Sequence, residues 1–185
     1  MNDTLIKTAM LEGFLNDEHV AIDASHFEAR DAFTPSEKKV PKTPKKRGRK
    51  TKAERAVWLA EQVEKKGNQS TYEKELKEQL DIPLETLWKD VPIEPKWGVK
   101  KNSKGKNTFW FGYKAHLAVS TKSQYIITRL MSSGNLSDCK AAIPLLKKLH
   151  HLGNGQLTIA IFDAGYDVEP IYRHAVSQSI RVVIP

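Results

Sequence analysis

Residues 157–167 read LTIAIFDAGYD. Leu157 to Phe162 are apolar or strand-tolerant, the run ends on the carboxylate of Asp163, and the chain then turns through Gly165 and Tyr166 toward a segment with helical spacing. A strand of this type is buried behind its last residue, and in open α/β sheets ligands gather outside the carboxyl ends of the strands. Asp163 therefore stands where a charge can be wet, metal-bound or catalytic. Read alone, it also fits the commoner role of an aspartate that opens a turn or caps a helix.

A second stretch of the same type changes that reading. In residues 19–25, HVAIDAS, Val20, Ile22 and Ala24 alternate with Ala21, Asp23 and Ser25. A carboxylate inside a short apolar strand is costly to bury unless it is paired, hydrogen-bonded or metal-bound. If the two strands lie side by side, Asp23 and Asp163 converge from distant parts of the chain. Two carboxylates that close repel each other, and a divalent cation removes the penalty.

The 185 residues carry a formal charge of +8, from 30 basic and 22 acidic side chains. Nine of the basic residues fall between Lys38 and Lys52, where there is no acidic one, which leaves 21 basic against 22 acidic elsewhere. The excess charge is thus a local device for a polyanion and not a general surface property. One cysteine, Cys139, excludes an intrachain disulfide, and no run reaches the roughly 18 apolar residues of a membrane span. No basic-then-apolar signal segment opens the chain, so the expected location is cytoplasmic.

Leu5, Ile6, Ala9, Met10 and Phe14 predict an amphipathic helix within a leading segment, 1–18. After Asp23 the sequence turns polar and then into KKVPKTPKKRGRKTK, whose prolines and glycine predict an extended arm over 38–52. Thr51 with Glu54 and Ser70 with Glu73 have capping-box spacing, which predicts a helical hairpin over 52–80 that Pro83 closes. Residues 27–108 then form an insertion, and the core domain comprises 19–26 and 109–185.

From Phe109 to Val119 the pattern alternates: Phe109, Phe111, Tyr113, Ala115, Leu117 and Val119 share one face, and Trp110, Gly112, Lys114, His116 and Ala118 the other. Tyr125 to Met131 return as an antiparallel partner. Ser137 opens a helix with a stripe of Ile143, Leu146, Leu149 and Leu152, in which Pro144 requires a kink or a later start. The strand with Asp163, a helix near 168–178 and the strand IRVVI complete an α/β, ribonuclease H-like mixed sheet, with the Asp163 strand set beside the Asp23 strand.

With these motifs in view, AIDAS, FGYKAHLAV, SSGNLSD and FDAGYD in that order, together with WGVKKNSKGKN, the chain resembles bacterial insertion-sequence transposases of the DDE group. The resemblance runs from His19 to Pro185. It implies DNA cleavage and strand transfer at a two-metal site, with ions roughly 4 Å apart activating the nucleophile and stabilising the leaving oxygen. Asp23 and Asp163 match the first two acids of the family and would serve as both catalytic and metal residues, and hard carboxylates suit Mg2+ or Mn2+. His116 and Asp138 stand behind these ligands in this reading. For both, a structural role is the simpler alternative, a hydrogen-bonded histidine and a loop or helix-start aspartate.

The partners implied are double-stranded DNA, as insertion-sequence ends and target, and further copies of the chain. Lys45, Lys46, Arg47, Arg49 and Lys50 are the expected DNA-binding residues. The third acid of the family, a glutamate on a helix beyond the last strand, is not reached, and Glu169 follows Asp163 too closely to replace it. The expectation is therefore a fragment or a truncated reading frame, incomplete at the C-terminus. The alternative is a catalytically inactive DNA-binding relic. A carboxylate-pair hydrolase acting on sugars leaves the basic run unexplained.

Overall fold

The computed structural model describes residues 2–16, 18–30, 48–101, 104–153 and 157–185. The expected mixed sheet is present. Strand β1 (His19–Glu28) lies between β3 (Asn107–Ser120), antiparallel to it, and β5 (Ile159–Ile161), parallel to it; β6 (Arg181–Val183) adds a further parallel strand beyond β5. Strands β2 (Lys96–Lys101) and β4 (Ile126–Ser133) pair with successive halves of β3.

Antiparallel pairing fixes which side chains share a face. Val20, Ile22 and Ala24 of β1 stand opposite Ser120, Ala118 and His116 of β3, and this face carries the core. Helix α5 (Asp138–Gly153) crosses from β4 to β5 and covers that face, with Ile143, Leu145 and Leu146 fully buried. Helix α1 (Asn2–Leu11), the short helices α3 (Leu76–Gln79) and α4 (Leu84–Lys89), and α6 (Glu169–Ser177) surround α5 in the same apolar cluster. Hence α5 is apolar well beyond a single stripe, as a helix packed on several sides must be. Pro144 sits inside α5, which begins at Asp138; the start is thus not delayed, and the proline removes one backbone donor from a fully buried turn.

The 52–80 region departs from the expected hairpin. Thr51 caps α2 (Lys52–Gly67) through a reciprocal box, its hydroxyl accepting from the Glu54 N–H at 3.3 Å while the Glu54 carboxylate accepts from the Thr51 N–H at 2.8 Å. Those bonds hold the Glu54 carboxyl below its usual range. Ser70 and Glu73 also bond, but they close a turn and not a helix. Two carbonyls that a helix from Ser70 would use are taken elsewhere, since the ammonium of Lys140 donates to Tyr72 O and Lys74 O, and that of Lys147 holds Leu80 O and Ile82 O at the segment's end. Tertiary bonds from α5 therefore override the local capping signal, and Pro83 starts α4 instead of ending a helix. The expected insertion also contributes β2 to the sheet.

Gly112 marks the crowded junction of β1, β2 and β3. A Cβ there would lie 2.1 Å from Phe27 O and 2.7 Å from Ala29 N, and both are backbone atoms that can yield only by breaking the ladder. Gly112→Ala is expected to lower unfolding stability by at least about 3 kcal/mol in denaturant titrations. Gly67→Ala, with nothing within 4 Å of the new methyl, should change it by no more than about 1 kcal/mol.

Candidate functional site

Asp23 lies within β1, and Asp163 lies two residues past β5. The parallel register pairs His19 with Ile159 and Ala21 with Ile161, and the same offset carries Asp23 to Asp163. The two carboxylates thus leave neighbouring parallel strands at matching positions. Both residues are exposed, so the cost of burial anticipated for Asp23 does not arise. Its face, shared with Ala21 and Leu117, is opposite the one α5 covers.

Local backbone bonds orient both acids. Asp23 Oδ1 accepts from the Ala24 N–H at 2.7 Å. Asp163 caps a single 3-10 turn, Ala164–Tyr166, and its Oδ1 accepts from the Gly165 N–H at 2.8 Å. Each side chain is thus steered by one short bond through one oxygen, and neither is held in an ion pair among the described residues. Two exposed hard-oxygen donors on adjacent strands suit a hard divalent cation. Among the described residues, no group of three or more histidine, cysteine, aspartate or glutamate side chains is placed to hold a metal. The arrangement therefore fits half of a metal site.

His116 does not join this pair. It is fully buried on the helix-covered face, across from Ala24 and Leu130, while Asp23 faces the other way. Its Nε2 lies 2.8 Å from Ser132 Oγ, and its Nδ1 lies 3.8 Å from Asp138 Oδ1 without a hydrogen bond. Asp138 is the first residue of α5, and its Oδ1 accepts from Lys114 Nζ at 2.9 Å; Lys114 also donates to Leu136 O at 2.9 Å and stands over the Trp110 ring. Glu169 pairs instead with Arg173 and Lys77.

Three further residues lie near the pair. Tyr166 is buried against Phe162, its hydroxyl has no hydrogen-bond partner, and burial followed by the fields of Asp138, Asp23 and Asp163 pushes the phenol up. Cys139 Sγ donates to Gly165 O at 3.2 Å, and burial raises this thiol. Lys114 pairs with Asp138, and the period-two spacing of YKAH, which places Lys114 and His116 on one face, was the available signal. A groove of about 270 Å³ lined by Trp97, Lys114, Asp138, Cys139 and Gly165 runs beside the Asp163 turn.

The basic arm lies mainly outside the described residues, including Lys45, Lys46 and Arg47. Arg49 and Lys50 are described and exposed, and Lys50 Nζ sits 5.4 Å from the centre of the Trp58 ring on α2. Helix α2 buries no residue and leaves Val57, Trp58, Leu59 and Val63 exposed. No helix among the described residues is long and apolar enough to cross a membrane.

Burial holds the imidazoles of both His116 and His174 down at about 4. In the unfolded chain they titrate near 6.5, so between pH 6.5 and 4 the unfolded state binds protons that the folded state refuses. Stability is then fully present above pH 6.5 and falls as the pH drops through that window. The denaturation midpoint should decline from pH 6.5 to 5, with about half the slope in His174→Gln. A flat profile would mean that these rings are protonated in the fold.

The chain matches the family described as Transposase DDE domain over residues 15–185. Among solved structures it is similar to a chain of the cryoEM structure of the simian T-cell lymphotropic virus intasome in complex with PP2A regulatory subunit B56 gamma, at 19% identity and a TM-score of 0.33. That likeness covers 51% of this chain and 35% of the other, so the present chain spans about a third of its length. No curated protein matches.

Proposed function

Because the chain belongs to the Transposase DDE domain family, we propose that it supplies the two-aspartate part of a metal-dependent centre that cleaves and joins DNA during transposition. The single observation that carries this reading is the register of β1 and β5, which brings Asp23 and Asp163 to matching positions on adjacent strands, both exposed. Asp23 and Asp163 would hold Mg2+ or Mn2+. When bound, such an ion supplies Lewis-acid stabilisation of charge at a phosphoryl group.

The chain's own part is positional. The Ala24 and Gly165 N–H groups each occupy Oδ1 of a nearby acid, which leaves Oδ2 as the oxygen a cation would take. DNA is the substrate, held by phosphate contacts from the 38–52 arm, with Arg49 and Lys50 next to the exposed face of α2. The test is nicking of DNA carrying the element's ends in Mg2+ or Mn2+, by the native protein and by Asp23→Ala and Asp163→Ala. Cation-dependent nicking that survives both substitutions sinks the reading. The second reading, a DNA-binding protein without turnover, is favoured by the absence of a third ligand among the described residues. It predicts binding with no nicking by any form of the protein.

A further inference from the structure

We propose that Asp138, held by Lys114, is a positioning residue for the Asp163 turn; this rests on the reading of Asp23 and Asp163 as cation ligands. Asp138 is not itself placed among the ligands. It lies at the start of α5 on the helix-covered side of the sheet, and among the described residues no metal-holding group of three forms around it. What it touches explains its role. Its Oδ1 takes the Lys114 ammonium at 2.9 Å and lies 3.8 Å from the buried Nδ1 of His116, whose other nitrogen reaches Ser132 on β4. The carboxylate thus ties the first turn of α5 to β3 through Lys114.

The next residue, Cys139, reaches the Asp163 turn directly through Gly165 O. One residue later Tyr166 enters the core with a hydroxyl that has no hydrogen-bond partner, and Asp138 is the first charge to act on it, ahead of Asp23 and Asp163. The turn is therefore held at Gly165 by Cys139, whose place depends on the start of α5, while Gly165 N–H aims Asp163. Removing the Lys114–Asp138 pair frees the start of α5, and with it the angle at which Asp163 is presented.

The test uses the full 185-residue chain, labelled with 15N, and follows Mn2+ broadening of the Gly165 amide signal. Asp138→Asn should require roughly tenfold more Mn2+ for half-broadening, the scale of one charge-assisted hydrogen bond, with a thermal midpoint within a few degrees of native. Lys114→Met should give the same rise, and the double variant no more than either single, because all three remove one pair. Lys114→Met carries the test if Asp138→Asn fails to fold. Native-like broadening in Asp138→Asn or Lys114→Met, or additive effects in the double variant, overturns the proposal. Loss of broadening as complete as in Asp23→Asn also overturns it, since Asp138 would then be a ligand. Asp23→Asn separates the two levels: if it leaves broadening unchanged, the cation reading itself has failed.

Discussion

DNA nicking by the 185-residue chain in Mg2+ or Mn2+ is expected to be slower by about two or more orders of magnitude than by a longer version that adds a helix carrying a glutamate, and Asp163→Ala should abolish nicking in both. The argument rests on ligand count. A hard divalent cation takes about six oxygens, and a two-ion centre needs ligands on both ions. Among the described residues Asp23 and Asp163 are the two acids brought together, and each already gives one oxygen to a backbone N–H. One ion would then depend almost wholly on water and phosphate. In-line transfer requires nucleophile, phosphorus and leaving oxygen in register, so a loosely held ion costs rate more than it costs binding. Because Asp163 is exposed and its side-chain hydrogen bond among the described residues lies within its own turn, Asp163→Ala should leave the thermal midpoint within a few degrees of native. Robust nicking by the 185-residue chain that Asp163→Ala abolishes would show that two acids suffice. Cation-dependent nicking unchanged by Asp163→Ala would remove this residue from the site.

Neutralising Lys45, Lys46, Arg47, Arg49 and Lys50 is expected to flatten the salt dependence of DNA binding, reducing the slope of log K against log salt by about 4 to 5. Each phosphate neutralised releases condensed counterions and contributes about 0.9 to that slope. With nine positive charges in the arm and near-neutrality elsewhere, the native chain should lose about 10⁴- to 10⁵-fold in affinity between 50 and 200 mM salt. Sequence preference should be weak, since phosphate contacts position a protein without reading bases. Binding at several salt concentrations, with specific and scrambled duplexes, measures both quantities. An unchanged slope in the five-fold variant would assign DNA contact to another surface. The exposed face of α2, with Trp58 beside Lys50, is the next to examine.

Much of the fold was legible because strands and turns are written in local alternation. The period-two run from Phe109, the Asp23 stretch and the Asp163 stretch each formed the strand expected, and adjacency of the last two followed from topology alone. Thr51 also capped its helix as its spacing required. The second capping signal, at Ser70, failed because a capping box stabilises a helix by little, whereas Lys140 and Lys147 reach four carbonyls from a distant helix. Alternation could not foresee those bonds, which join positions more than 60 residues apart.

The sequence by itself determined the two carboxylates, the strands that carry them and the confinement of positive charge to one arm, because these depend only on residue type and short-range period. Only the tertiary structure decided which face of β3 is the inner one. By composition, the row of Phe109, Phe111, Tyr113, Leu117 and Val119 is the apolar one, yet the row with Lys114 and His116 lies under α5. Its inward cation and imidazole are tolerated because Asp138 and Leu136 O satisfy Lys114, and Ser132 meets His116. A strand pattern says which residues share a face. Which face is buried depends on where α5 packs, and that is settled by contacts between elements far apart in the chain.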